Sequence, residues 1–389
     1  MRVGPGLIVL SLAAAANGSD AEVSAPESGL PEITAESAVV MDADSGAVLF
    51  EKNAGAPRYP ASTTKILTAL LLIENCSPDE VIMAPLDSPE VTGSSLHLKP
   101  AEGITAEDAL YALLVRSAND VAHAVARHIS GSEEAFAELM NSRAEEIGCR
   151  NTYFINPHGL HHDQHVTTAY DMALIACEAM RHERFRDAAG TRRKWIERSL
   201  VPQDRLLISR NRFLNEPGAE GIKTGFTSPA GRCFVGSKSL DGWRVISVVL
   251  SSEDWLADTN ALFDWTSETL ERRTVFGAGD LVGAAPVKGG ARPVVRGRAE
   301  RDVRAILFRG GPDRGVSIEW RELKAPVLDG DRIGTIRLAA ANGEAVEVPV
   351  LAAESVARAP FWRSPFAWAG ALGLLIGVAF AGHRLLNRA

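Results

Sequence analysis

Apolar positions along the chain change their spacing several times, and each change marks an element. Between Ala35 and Asn53 the stretch AESAVVMDADSGAVLFEKN alternates and is interrupted by Asp44-Ser45-Gly46, which predicts a β-hairpin. From Ser62 the run STTKILTALLLI takes a helical spacing, with Ser62, after Pro60 and Ala61, in the N-cap position. ITAEDALYALLVRSANDVAHAVARHI opens on a Thr105 cap and reads as two helical stretches with a break near Ser117. SEEAFAELMNSRAEEIG, closed by Gly148, and TTAYDMALIACEAMR predict two further helices. GRCFVGSKSL and WRVISVVLS are strand-like and meet at Asp241-Gly242, a strong hairpin signal. WLADTNALFDWTSETLE then reads as a closing helix with Leu256, Leu262, Phe263 and Leu270 on one side. Early and late strands that flank a set of helices predict an α+β class, an antiparallel sheet with helices packed on it. From about Thr274 to Val356, short Val/Ile/Leu runs alternate with Gly, Pro and Arg, which predicts a small all-β domain.

Composition adds bounds. A chain of 389 residues has room for two folded units, and 46% apolar with 23% charged residues is a globular composition. A net charge of −8 argues against a nucleic-acid partner, which needs a basic face. MRVGPGLIVLSLAAAANGSDA carries one Arg, an apolar run and small residues, and is expected to be a signal peptide over 1–20. A lead segment (21–33), a first domain (34–272), a β-rich domain (273–356) and a linker (357–365) are expected to follow. FAWAGALGLLIGVAFAG, bracketed by Arg363 and by His383, Arg384 and Arg388 and with Trp362 and Trp368 at the depth expected of a membrane interface, is expected to anchor the chain in a membrane over 366–383. A helix lying on the membrane surface is the lesser alternative, because the run has no polar face. The two ends together predict a body outside the cytoplasm, held at the cell membrane. Cys76, Cys149, Cys177 and Cys233 are widely spaced and read as buried thiols, with one disulfide left open.

Three short patterns carry candidate chemistry. Ser62 and Lys65 are three apart, so a helical turn brings amine and hydroxyl together. A lysine is a base only when neutral, which burial and a neighbouring cation promote. Ser117-Ala118-Asn119 sits at the helix break, where a hydroxyl and an amide can point into a cleft. Lys223-Thr224-Gly225 precedes the late strand; Lys223 supplies the needed cation and Gly225 lets a substrate backbone come close. Each pattern alone is better read as a cap or a turn with a surface lysine. All three, each on the element where it is useful, form a specific set.

With these motifs the chain resembles the penicillin-recognising serine enzymes, and most closely the low-molecular-mass D-alanyl-D-alanine carboxypeptidases of peptidase family S11. The similarity runs from about Ala35 to Leu270 through PASTTKILTALL, LLVRSANDVA, GCRNTYFINPHGL and GIKTGFTSPAGRCFVGSK, and extends to the layout of β domain, leader and tail. It implies the penicillin-binding/β-lactamase-like transpeptidase fold. It also implies that Ser62 is acylated, that Lys65 is its base, that Ser117 relays a proton and that Asn119 holds the substrate peptide. Lys223, Thr224 and Thr227 would meet the terminal carboxylate, and the N–H groups of Ser62 and Phe226 would form the oxyanion hole. The implied partners are peptidoglycan stem peptides and β-lactams, with no metal or cofactor.

Two departures stand out. Phe226 occupies a position where many relatives carry His, and SSEDWLAD is acidic where relatives often place an Arg, which puts carboxylate affinity in question. D,D-endopeptidase action is the nearest alternative. A class A-like β-lactamase would need an E-x-x-x-N loop, and no Glu between Asn119 and Lys223 is followed by Asn four positions later. In HGLHHDQH, His158, His161, His162 and His165 could be metal ligands, but the loop lacks i,i+4 geometry and carboxylates beyond Asp163, so packing is the expected role.

Overall fold

The alternation near the start is realised as an antiparallel hairpin. In the computed structural model, which describes residues 29–201, 203, 205–309, 316–339 and 345–360, β1 (Ser37–Asp42) pairs with β2 (Val48–Lys52). A 3₁₀ turn (Ala61–Thr64) leads into α1 (Lys65–Asn75). A short pair follows, β3 (Val81–Met83) with β4 (Gly103–Thr105), then α2 (Ala106–Tyr111), α3 (Asn119–Ser130), α4 (Glu133–Ile147), α5 (Ala169–Ala179) and α6 (Glu183–Ala189). After a second short pair, β5 (Arg193–Trp195) with β6 (Leu206–Ile208), come the long strands β7 (Ala219–Thr227), β8 (Gly231–Leu240) and β9 (Trp243–Ser252), and α7 (Trp255–Thr269). The leader expected over 1–20 and the hydrophobic helix expected over 366–383 lie outside the described residues. Among the described residues no helix is long and apolar enough to cross a membrane.

Five strands form one antiparallel sheet in the order β2-β1-β9-β8-β7, with β9 central and β7 at an edge. The run WRVISVVLS is apolar almost throughout because β9 is covered on both faces. Ile246, Val248 and Leu250 join Val39 and Met41 in a core shared with α1 to α6. Their neighbours Val245 and Val249 turn to the other face, the side of Phe234 and of Leu262 and Phe263 from α7. There Phe213 stacks on Phe263 at 5.4 Å and Phe234 meets Trp255 at 4.5 Å. The β8–β9 turn has φ values of 51° at Asp241 and 81° at Gly242, the left-handed pair that the Asp-Gly signal predicts.

Helix starts follow their caps. Thr105, Ser132 and Thr168 accept from the N–H groups of Asp108, Ala135 and Asp171. The closing helix is shorter than its spacing suggested, because Leu270 opens a strand and is buried there. All four cysteines are buried free thiols, and burial pushes that of Cys177 up to about 12.

The chain divides between Glu271 and Arg272 into two units. β10 (Leu270–Phe276) runs across this division, and the second unit is all-β, continuing with β11 (Leu281–Lys288), β12 (Val294–Ala299), β13 (Val303–Phe308), β14 (Val316–Trp320), β15 (Leu323–Lys324), β16 (Arg332–Ala339) and β17 (Ala345–Ala352). Six of these form a sheet in the order β14-β16-β17-β12-β11-β15, and β10 pairs with β13. Alternate residues Val348, Val350 and Ala352 of β17 are buried with Val295, Ile333 and Ile336 in its own core.

One buried ion pair steadies the long connection between β3 and β4. Arg198 meets Glu102 through two bonds of 2.8 and 2.9 Å, both side chains almost fully buried, and donates to the carbonyls of Leu96 and His97. Removing one partner strands a charge in the interior, so Arg198→Ala is expected to cost about 3–5 kcal/mol, part of which Arg198→Met with Glu102→Leu recovers. Urea unfolding midpoints test this; a single variant within about 1 kcal/mol of wild type would refute it.

Candidate active site

The turn that carries Ser62 is built by its neighbours. Pro60 leads in, and Ala61 adopts a left-handed φ of 48°, a conformation that a non-glycine residue holds only when its surroundings impose it. Thr63 and Thr64 tie the turn down by donating to the carbonyls of Pro60 and Ala61. Ser62 is therefore not the cap of α1, as its spacing suggested. Thr64 occupies that position and makes no side-chain cap bond. The left-handed residue displaces the Ser62 hydroxyl from the cap position, and it meets Lys65 instead. Lys65 Nζ donates to Ser62 Oγ at 3.2 Å and to the carbonyl of His158 at 2.6 Å.

Lys65 has no solvent exposure. Burial is the largest cause that holds its amine well below the ordinary lysine range; the charge of Lys223 adds to this, and Asp120 opposes it. Lys223 is buried too, donates to the carbonyl of Thr224 at 2.9 Å, and is brought down to about 7 by desolvation. Two lysines thus share one desolvated region, and each proton carried by Lys223 makes one on Lys65 less favourable.

The expected break near Ser117 has a definite form. A π-helical segment (Ala112–Arg116) ends at Ser117, which is left-handed at φ 64°, ψ 36°, and α3 restarts at Asn119. Asn119 donates from Nδ2 to the carbonyl of Thr92 and from its backbone to that of Ser94, both at 2.7 Å. Its Oδ1 is buried without a hydrogen-bond partner among the described residues, an acceptor left open. Asp120 accepts from the N–H groups of Leu96 and Leu98 and so fastens the preceding loop to the start of α3.

As the edge strand, β7 brings unpaired backbone groups to this region. Gly225 lies against the Ser62 turn: a Cβ there would come within 3.0 Å of the Pro60 carbonyl oxygen and 3.1 Å of the Ser62 nitrogen. Turn, helix break and edge strand enclose a cleft of about 500 Å³, lined among others by Ser62, Ser117, Lys223, Thr224, Gly225 and Phe226. Lys65 and Asn119 lie buried outside its lining. Thr227, expected to meet the same carboxylate as Lys223, does not line the cleft; its hydroxyl accepts from the N–H of Ala230 and closes the β7–β8 turn. Ser94, Arg116, Arg210, Arg212, Arg232 and Trp255 also line the cleft and were not among the sequence candidates. Arg116 and Arg232 flank the quoted motifs and the others come from the segment before β7, the connection between β3 and β4 and the start of α7, so local spacing does not show that they meet.

A family model described as D-alanyl-D-alanine carboxypeptidase of peptidase family S11 matches residues 21–254, more than half of the chain. The chain belongs to this family. A model of the C-terminal domain of penicillin-binding protein 5 matches residues 270–358, within the all-β unit. The D-alanyl-D-alanine carboxypeptidase DacF of Bacillus subtilis is 31% identical over 84% of this chain and 87% of its own. DacA of Escherichia coli is 30% identical over 83% of each. Among solved structures, penicillin-binding protein 5 of Haemophilus influenzae superposes with a TM-score of 0.69 at 26% identity, covering 85% of this chain and 99% of its own. Penicillin-binding protein 3 of Streptococcus pneumoniae gives 0.69 at 25%, covering 84% and 100%. The chain thus has the penicillin-binding protein fold with a C-terminal all-β domain.

In this family member the histidine-rich loop supports the turn that carries Ser62. His158 is buried and kept neutral chiefly by desolvation, with its carbonyl on Lys65. His165, held down to about 3 by burial, shares a 2.9 Å hydrogen bond with Thr64. Between them Gly159, at φ 84°, passes so close that a Cβ would stand 1.9 Å from the Ala61 carbonyl oxygen. Gly159→Ala is expected to push the Ser62 turn aside and slow penicillin acylation at least about 100-fold, by analogy with a misplaced reacting group. Stopped-flow acylation rates check this, and a rate within about threefold of wild type would show that the close contact does not position Ser62.

Proposed function

We propose that the chain is a serine D-Ala-D-Ala carboxypeptidase that removes the terminal D-alanine from peptidoglycan pentapeptides through an acyl-enzyme on Ser62. The observation that carries this is the Ser62–Lys65 contact of 3.2 Å with a fully buried Lys65 beside a second lysine. Neutral Lys65 accepts the Ser62 hydroxyl proton as Oγ attacks the carbonyl carbon of the D-Ala–D-Ala amide. The developing oxyanion sits between the N–H groups of Ser62 and Phe226, each worth a few kcal/mol of barrier (about 3). The proton passes through Ser117 to the departing amine, the C–N bond breaks and D-alanine leaves. Water then repeats the attack on the ester and frees Ser62. Asn119 holds the acyl peptide through its side-chain amide, and Lys223 and Thr224 meet the terminal carboxylate. A β-lactam enters as a mimic of the dipeptide and stays on Ser62. The same proposal places the body outside the cytoplasm and at the cell membrane, on the strength of the apolar leader and of the uncharged run Phe366–Gly382.

Endopeptidase action uses the same acyl-enzyme and differs only in the leaving amine, so rates on a pentapeptide beside a cross-linked muropeptide separate the two. Fluorescent penicillin is expected to label wild type and to miss Ser62→Ala, while Lys65→Ala stays folded and loses labelling by at least about 1,000-fold. Label on Ser62→Ala would sink the assignment of the nucleophile.

The pH dependence has a sign on each side. Lys65 must be neutral, so kcat/KM falls as pH drops through its depressed pKa. Lys223 must be charged to hold a carboxylate, and its proton leaves around pH 7, so kcat/KM falls again above that. A bell-shaped profile is expected, with the alkaline limb lost in Lys223→Arg. A wild-type profile still rising above neutrality would remove Lys223 from carboxylate binding.

A further inference from the structure

Three groups able to hold a metal ion converge away from the cleft. Cys76 closes α1, Glu80 follows it in the turn before β3, and His128 lies in the last turn of α3. The Cys76 sulfur, a Glu80 carboxylate oxygen and a His128 ring nitrogen all lie within 4.8 Å of one another. Cys76 is buried, Glu80 half-buried and His128 exposed, so the group has a closed inner end and an outer one open to solvent.

The carboxylate is already aimed. Glu80 Oε2 accepts from the N–H of Ser77 at 3.2 Å, and Oε1 shares a 2.8 Å hydrogen bond with His128 Nε2. The turn closes through the Glu80 N–H on the Ser77 carbonyl, and the Glu80 carbonyl accepts from Ala106 at the start of α2. Outer contacts of this kind orient a ligand before the ion arrives. Two helices also end here, and the C-terminal end of a helix favours a cation.

The surrounding charges leave room for one. Asp79 adds negative charge beside Glu80, while Arg184 acts on the thiol from α6 and is itself paired with Glu107 at 2.9 Å. Burial, then the charge of Glu80, raises the Cys76 thiol, and Arg184 opposes this. A second trio, Glu74, Glu178 and His182, is as close-set, but Arg143 bonds both of its carboxylates and is the cation there. Among the described residues no lysine or arginine pairs with Glu80, whose ion-pair partner is His128.

A thiolate, a carboxylate and a neutral imidazole carry two negative charges and mix sulfur, oxygen and nitrogen donors, a set that suits Zn²⁺. Donor atoms around a tetrahedral zinc stand about 3.3–3.8 Å apart, so side-chain shifts of about 1 Å bring these three onto one ion. We propose that Cys76, Glu80 and His128 form a zinc site, with water in the fourth position. On binding, the thiol gives its proton to solvent, a sulfur–zinc bond forms, and the ion replaces the hydrogen bond between Glu80 and His128. One ion then ties the end of α1 to the end of α3, the two helices whose first residues are Lys65 and Asn119. The site is independent of the proposed reaction at Ser62.

The test titrates the full chain, freed of metal by a chelator, with Co²⁺, which takes zinc geometry and reports its ligands by colour. Wild type is expected to show a thiolate-to-cobalt charge-transfer band with tetrahedral d–d bands, both removed by Zn²⁺. Cys76→Ser should lose the charge-transfer band, and His128→Gln should bind Co²⁺ at least about tenfold more weakly. Absence of the band in wild type overturns the proposal. So does a band that survives in Cys76→Ser, which retains Cys149, Cys177 and Cys233. Thermal unfolding covers the case in which Cys76→Ser does not fold. Zn²⁺ at about 100 times its Kd is expected to raise the Tm of wild type by at least about 4 °C, with no such rise from Mg²⁺. A wild-type Tm unmoved by Zn²⁺ overturns the site. An equal rise in His128→Gln also overturns it, by placing the ion elsewhere, as on the exposed His161 and His162.

Discussion

The structure turns on a lysine held where an ammonium is unwelcome. Lys65 lies in the apolar body of the first unit, without solvent, next to the Ser62 hydroxyl and within the field of a second buried lysine. In water an amine is protonated and useless as a base; here desolvation and the like charge of Lys223 disfavour that proton, while the amine keeps the His158 carbonyl and the Ser62 hydroxyl as partners. Any arrangement that hydrated Lys65 would weaken that shift, so the helices around α1 and the loop that carries His158 set the state of the amine as well as the stability of the core.

Backbone conformation makes that arrangement possible. Ala61 and Ser117 both adopt left-handed φ angles, one just before Ser62 and the other at the helix break. Gly159 and Gly225 let two separate segments press on the turn between them, where any side chain would collide with Ala61 or Pro60. Strained and close-packed positions thus cluster around one hydroxyl, and the threonine and histidine hydrogen bonds about the turn hold them in place.

Much of this was legible in the residues. The Asp-Gly turn, the caps at Thr105, Ser132 and Thr168, and the double-sided apolar run of β9 are local rules, and local rules survive folding. The three motifs were legible for the same reason, since each depends on a few neighbours in sequence. Ser62 was misjudged as a cap because spacing cannot reveal that Ala61 turns left-handed. Leu270 was placed on the last helix because its apolar character suits a helix face and a buried strand equally. Thr227 was expected in the cleft, but its hydroxyl accepts from the N–H of Ala230 across the β7–β8 turn, a contact that spacing alone does not separate from a substrate contact.

By itself the sequence determined the elements, their order and the α+β and all-β division, and it singled out Ser62, Lys65, Ser117 and Lys223 as candidates, because these follow from periodicity, capping and side-chain chemistry. The tertiary structure decided which groups share a dielectric. Lys65, Lys223 and Asp120 are far apart in the chain, and only their packing makes one lysine's proton depend on the other's. It also decided that Arg116, Arg210, Arg212 and Arg232 line one cavity. Charge acts through space, and spacing along the chain does not measure that distance.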